Sequence, residues 1–214
     1  MHPGDCPAWE YTEVPGHADV LAVRAASIIA GLRRAQIDSA DASTDTRGVH
    51  AELFEGLTPP GHSYFAGHYR GEAFRCLKHY EVKVPGDPRV GFQSSSVGMS
   101  MGELADTVQQ GLAALDAGDA LPEAQLPKTD RVLYAVAFAC RVLERLLQIH
   151  PYANGNGHAA RFVVWAILGR YGYWPYRWTI EPRPGHPGYT ELIRRHRDGD
   201  REPLEAFILE CLAP

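Results

Sequence analysis

The chain has 214 residues, 45% hydrophobic and 22% charged, an ordinary globular balance with enough length to bury a substantial core. Its 26 acidic against 21 basic residues give a net charge of −5, which excludes the basic excess of nucleic-acid-binding domains, although a single nucleotide needs only a few donors and stays compatible. No run approaches the ~20 apolar residues of a membrane span, and the N-terminus lacks the basic-then-apolar pattern of a signal peptide, so a cytoplasmic protein without nucleic-acid or membrane partners is expected.

Residues 1–16 carry Pro3, Gly4, Pro7, Pro15 and Gly16 and are expected to wrap over the surface as an irregular segment, with residues 17–214 forming a single domain. From His17 onward, Val20, Leu21, Ile28 and Leu32 recur at helical spacing through an alanine-rich run, which ends before the polar stretch 38–46. A short helix follows over 47–55, with Val49, Leu53 and Phe54 inward and Gly56 closing it. The alternating pieces HYEVKV and RVGFQSS, separated by Pro85-Gly86-Asp87-Pro88, predict one small β-hairpin.

Residues 100–116 then read as a helix with Leu104, Val108, Leu112 and Leu115 on one side. Residues 130–149 have the clearest periodicity, with Leu133, Val136, Cys140, Leu143 and Leu147 inward and Arg141, Glu144 and Arg145 outward. Residues 161–171 are apolar almost all round, as expected of a helix enclosed by others. Two closing helices, 189–197 and 202–212, break at Asp198-Gly199-Asp200. The predicted fold is mainly helical with one hairpin flap.

The four cysteines form no C-x-x-C pair and are read as buried free thiols. The ten histidines show no H-E-x-x-H or similar ligand spacing, which argues against zinc. Ser94-Ser95-Ser96 reads as a polar edge, and the aromatic cluster Tyr171, Tyr173, Trp174, Tyr176 and Trp178 as core packing.

The segment between the two core helices, HPYANGNGHAAR (150–161), carries the chemistry. Gly155-Asn156-Gly157 sits where a helix N-terminus presents unsatisfied N–H groups and a partial positive charge, a place for an anion. The glycines permit close backbone approach and φ > 0. Arg161 stands at helical spacing to add a planar charged fork to a second phosphate. His150, at the end of the preceding helix, has the side chain suited to take a proton from an incoming hydroxyl near neutral pH. A G-N-G turn alone is a weak signal; the histidine before it and the arginine after it sharpen it.

With those residues in view, HPYANGNGHAAR resembles the signature of the Fic family: histidine, proline, aromatic, any residue, an acid, then glycine-asparagine-glycine-arginine, two free residues and arginine. VHAELFEG and FAGHYR are similar to upstream Fic elements, and the final helices to its closing ones, so that the resemblance runs roughly over 47–212. It implies a helical Fic-type fold and transfer of AMP from ATP to a serine, threonine or tyrosine hydroxyl of a target protein. It makes His150 the general base, Gly155, Asn156 and Gly157 the holders of the α and β phosphates, Arg161 the holder of the distal ones, and His158 a further phosphate-binding position. The hairpin, at Gly91, Phe92, Gln93 and Ser94, would be a flap that docks the target chain as an added strand.

Two positions depart from the pattern. Asn154 replaces the acid that would hold Mg²⁺, and an amide brings no negative charge, so metal binding is expected to weaken. His158 replaces the first arginine and lacks its permanent fork. These departures keep open a second reading, a degenerate Fic domain that binds nucleotide or a partner without catalysis, and a third, a related transfer or removal reaction. Residues 25–31 resemble the context of an inhibitory helix of that family, with Ala30 where a glutamate would stand; an apolar covering helix is the plainer reading.

Overall fold

The computed structural model describes residues 6–213. Eight α-helices follow one another among them: α1 (His17–Arg33), α2 (Ser39–Thr44), α3 (Arg47–Phe54), α4 (Ser94–Asp119), α5 (Lys128–Ile149), α6 (Asn156–Arg170), α7 (Tyr189–Arg197) and α8 (Glu202–Glu210). Helix α6 is the axis. Its residues from His158 to Leu168 are buried on every side, because α1, α2, α3 and α5 all pack against it. Each large apolar side chain so enclosed contributes about 1.5–3 kcal/mol by leaving water, which fixes the direction in which the helix N-terminus points. None of the helices is long and apolar enough to cross a membrane.

Helix α5 presents Val136, Ala139, Cys140, Leu143, Leu146 and Ile149 to the core. Leu133, expected on that stripe, is 50% exposed; in the first turns the packing passes to Ala135 and Val136. The crossing of α4 and α5 is close at Gly111, where a Cβ would stand 2.1 Å from the Phe138 ring, so a side chain there would force the helices apart. The polar stretch before which the first helix was expected to end itself coils into α2, because the Asp38 carboxylate accepts from the N–H groups of Ala40 (2.8 Å) and Asp41 (2.9 Å) and caps it.

The hairpin does not form: no described residue lies in a strand. The amides that would pair across it are used elsewhere. Gly91 N–H donates to the Gln148 carbonyl at 2.9 Å and Phe92 N–H to that of Ile149 at 3.1 Å. The last carbonyls of α5 have no acceptor role inside their own helix, so these bonds satisfy groups that would otherwise be orphaned. The second arm then coils at once: Ser94 begins α4, its N–H and hydroxyl both donating to the Glu81 carboxylate.

The cysteine reading also changes. Cys6 and Cys76 form a disulfide across 70 residues, with Cα atoms 5.5 Å apart, while Cys140 and Cys211 are buried free thiols as expected. The cross-link holds down part of the N-terminal segment expected to lie irregularly on the surface. Pro3 and Gly4 fall outside the described residues, but Trp9 is 2% exposed and its indole N–H donates to the Leu57 carbonyl at 2.8 Å. Residues Tyr11–Glu13 follow as a single 3-10 turn.

Candidate active site

Two core helices meet at the 150–155 loop, and buried polar side chains hold its shape. His150 ends α5 with φ 56° and ψ 60°, a left-handed conformation uncommon outside glycine, costing about 1–2 kcal/mol. Arg70 fixes it from behind. This arginine is fully buried and donates through Nε to the His150 carbonyl (2.8 Å), and through its terminal nitrogens to the carbonyls of Tyr80 (3.1 Å), Phe92 (2.9 Å) and Ile149 (3.2 Å). Its own N–H donates to Pro151 O at 2.8 Å. One side chain therefore ties the end of α5, the loop and the 80–92 segment together.

Asn156 closes the loop from within: its amide donates to Tyr152 O (2.9 Å) and its Oδ1 accepts from Tyr152 N–H (2.8 Å). Its side chain is thereby turned into the loop, and what it can offer an anion is its backbone N–H. His50 supports the same turn. Its Nδ1 accepts from Gly67 N–H at 2.9 Å, so the proton sits on Nε2, which donates to the Asn154 carbonyl at 3.0 Å. Burial pushes this imidazole down to about 3, and it stacks on Tyr152 with ring centroids 3.6 Å apart. Gly155, at φ 76°, leaves no room for a side chain: a Cβ would meet the Phe54 ring at 2.3 Å.

A cavity of about 440 Å³ opens in front of the loop. It brings together every loop residue assigned a role from the sequence: His150, Asn154, Gly155, Asn156, Gly157, His158 and Arg161. The first N–H groups of α6, at Asn156 and Gly157, have no carbonyl within their own helix to bond and carry the positive end of its dipole. A second cavity of about 350 Å³, between α4 and α5 and lined by Tyr134, Phe138 and Tyr173, holds none of the loop residues.

His150 Nδ1 lies 3.1 Å from the Leu147 carbonyl, which can only accept, so that nitrogen is the donor and Nε2 keeps the lone pair. Burial pushes the imidazole down to about 4; the bond to Leu147 opposes the shift, and Arg70 and Arg197 reinforce it. The ring is neutral at pH 7 and able to accept a proton. Phosphate charge brought into the cavity would raise its basicity toward the range useful to a general base.

His158 is buried and lies with Nε2 2.7 Å from a carboxylate oxygen of Glu181. Burial drives the imidazole toward its neutral form, while the bond from His158 lowers the Glu181 carboxyl; a neutral ring donating Nε2–H to an ionised carboxylate satisfies both directions. Arg161, 4% exposed, is anchored through Nε to Ile180 O at 2.7 Å. Its Nη1 comes 2.9 Å from where a Cβ on Gly157 would stand, so glycine at 157 is what lets the guanidinium reach the Gly155–Gly157 turn.

Asn154 is held on both sides of its amide and brings no negative charge to a cation. Its amide nitrogen donates to Trp9 O at 2.6 Å and its Oδ1 accepts from Gly155 N–H at 2.7 Å. Among the described residues, no group of three or more histidine, cysteine, aspartate or glutamate side chains could hold a metal ion.

The flap residues Gly91, Phe92, Gln93 and Ser94 lie behind the cavity, on the α5 end and the start of α4. The part of that segment which lines the cavity is Val84, Pro85, Gly86, Asp87 and Val90. It is tied to α7, since Arg197 donates to Asp87 (2.6 Å) and Glu144 (2.5 Å), and Arg89 to Asp198 (2.6 Å). No residue of α1 lines the cavity; Tyr11, from the segment before it, does. Sequence reasoning gave no role to Arg70, His50, Tyr11, Glu181, Arg183 or Arg197. Two of them carried a signal, Arg70 as the last residue of FAGHYR and His50 as the histidine of VHAELFEG.

The site thus defines a helical protein with a helix N-terminus, a neutral histidine and a buried arginine around one cavity. The chain is similar to the protein adenylyltransferase Fic of Nematostella vectensis, with 33% identity over 86 residues, 40% of this chain and 19% of that protein. It is also similar to the proteins of the same name from Drosophila virilis and Drosophila melanogaster, with 32% identity over 79 residues, 37% of this chain and 16% and 15% of theirs. The chain therefore spans less than a fifth of the length of these curated relatives, and over the aligned stretch it is Fic-like. No family model matches it.

Proposed function

We propose that this protein transfers AMP from ATP to a serine, threonine or tyrosine hydroxyl of a target protein. The observation that carries the reading is the shared cavity of His150 Nε2, the free N-terminus of α6 and Arg161. His150 takes the proton of the target hydroxyl, the oxygen attacks the α-phosphorus, and pyrophosphate leaves against the Gly155–Gly157 turn and Arg161. Catalysis of this kind rests on positioning and charge stabilisation, so loss of the base is severe while nucleotide binding persists. The name carried by the relatives supports the same reaction class.

Incubation with labelled ATP and Mg²⁺ or Mn²⁺, followed by mass spectrometry, tests this. Wild type is expected to label itself or an added target by the mass of AMP, and His150→Ala to lose the label while still binding ATP. Equal labelling by the variant removes His150 from the mechanism. A phosphate- or phosphocholine-sized shift, or loss of an existing adduct, assigns a related reaction instead.

A second reading, nucleotide or partner binding without catalysis, is favoured by one observation: the side chain that stands at the acidic position is a neutral amide already bonded to Trp9 and Gly155, so it brings no negative charge to a metal. Absence of any adduct with either metal supports it. The proposed location is cytoplasmic; the Cys6–Cys76 disulfide is the feature that weighs against a reducing compartment, and thiol titration of protein isolated from the native host decides it.

A further inference from the structure

The charges around the cavity are not evenly matched. Four arginines line it: Arg161, Arg183, Arg194 and Arg197. Arg197 is paired with Asp87 and Glu144, and Arg194 with Glu191 and Asp198. Arg161 and Arg183 have no carboxylate within ion-pair distance among the described residues. Glu181, the nearest acid on the same segment, is turned onto His158 and does not line the cavity, whereas Arg183, two residues on, does. A buried guanidinium without a carboxylate is costly unless an anion is its working partner. Arg161 is in that position: its Nε is held by Ile180 O, and its terminal nitrogens lie along the Gly157 side of the cavity.

Arg183 is exposed and acts on the same space, close enough to bear electrostatically on Tyr11, His158, Arg161 and Tyr189. His158 adds no charge of its own while its ring is neutral and given to Glu181. The two unpaired guanidiniums, one buried and anchored and one exposed, thus face a cavity whose third positive feature is the N-terminus of α6.

We propose that Arg183 and Arg161 form a two-armed clamp for the distal phosphates of a nucleoside di- or triphosphate, Arg161 as the fixed arm and Arg183 as the closing one. A monophosphate seated on the α6 N-terminus engages neither arm fully. The clamp rests on the nucleotide reading of the cavity, and it is separable from the transfer reaction. It assigns a binding role to a residue outside the 150–161 segment.

Titration calorimetry with sodium tripolyphosphate, ATP and AMP tests it on the intact chain. Arg183→Ala is expected to weaken tripolyphosphate and ATP by about tenfold or more, the scale of a lost charge-assisted hydrogen bond, and AMP by less than about twofold. Arg183→Lys, which keeps the charge without the fork, is expected to fall between. Arg195→Ala, outside the cavity and paired with Asp200, controls for net charge and is expected to bind as wild type. If Arg183→Ala binds ATP and tripolyphosphate within twofold of wild type, or weakens AMP equally, the clamp is wrong. The same follows if wild type binds neither polyphosphate. If polyphosphate binding depends on Arg183 but no AMP adduct ever forms, the clamp stands and the transfer reaction falls. If adducts form with His150 dependence while Arg183→Ala binds normally, the reverse holds.

Discussion

Arg70 donates to the His150 carbonyl from inside the protein while the His150 ring faces the cavity, so one buried guanidinium fixes the backbone from which the candidate base projects. The strained left-handed conformation of His150 persists because this bond and the His150 N–H to Leu146 O bond over-determine it.

Replacing Arg70 by methionine keeps the stem and removes every side-chain donor, leaving the carbonyls of His150, Tyr80 and Phe92 without the bond it gives them and that of Ile149 with Phe92 N–H alone. Breaking a buried charged network of this kind costs about 3–5 kcal/mol. Urea unfolding of Arg70→Met should show that loss; a midpoint unchanged from wild type would mean the network is not what holds the loop.

Gly155→Ala tests the turn itself. At φ 76° a Cβ is strained by about 1–2 kcal/mol, and it would also meet the Phe54 ring at 2.3 Å and His50 Nε2 at 2.8 Å. The expected outcome is a lower melting temperature and ATP affinity reduced at least about tenfold. Gly185→Ala, whose Cβ meets nothing within 4 Å, is the matched control expected to leave both near wild type.

Stability should fall on mild acidification. His50, His150 and His196 all have folded-state values below the unfolded one, at about 3, 4 and 4. The unfolded chain takes up these protons as pH falls through about 6.5, the folded chain not until about 4, so unfolding binds protons and stability drops across the window 6.5 to 4. His196 is the case least tied to other groups: neither ring nitrogen has a hydrogen-bond partner, and the Glu205 carboxylate comes no closer than 3.9 Å. Denaturation midpoints at pH 7.5, 6 and 5 measure the slope; His196→Phe should flatten it.

Asn154→Asp would put a carboxylate where the amide nitrogen now donates to Trp9 O and comes 3.4 Å from Glu10 Oε2. Losing that donor and adding like charge should loosen the Trp9–Tyr11 segment and lower stability by about 1–2 kcal/mol. The same carboxylate should make ATP binding more dependent on Mg²⁺ than in wild type. Calorimetry with and without EDTA compares the two proteins.

The parts of this architecture that could be read from residue order are those governed by local periodicity. The enclosed α6, the stripe of α5 and the loop between them follow from apolar spacing and two glycines. What was not legible depended on distant partners. The HYEVKV and RVGFQSS pieces alternate as a hairpin should, but alternation does not say whose carbonyls the amides will meet, and here the end of α5 competed successfully. Cys6 and Cys76 are too far apart in the chain for spacing to pair them. The roles of Arg70 and Glu181 likewise exist only once the loop is folded against them.

The ion pairs from Asp87 to Arg197 and from Arg89 to Asp198 moor the 84–90 segment across one side of the cavity. A ligand that must move that segment has to break both at once, and the exposed Arg89 pair is the one that dissolved salt screens. Ionic strength then acts in opposite directions on two kinds of visitor. For the nucleotide and target chain proposed above, raising it is expected to slow the arrival of the small anion drawn by the arginines and to quicken the entry of the bulky polypeptide for which the mooring is the obstacle.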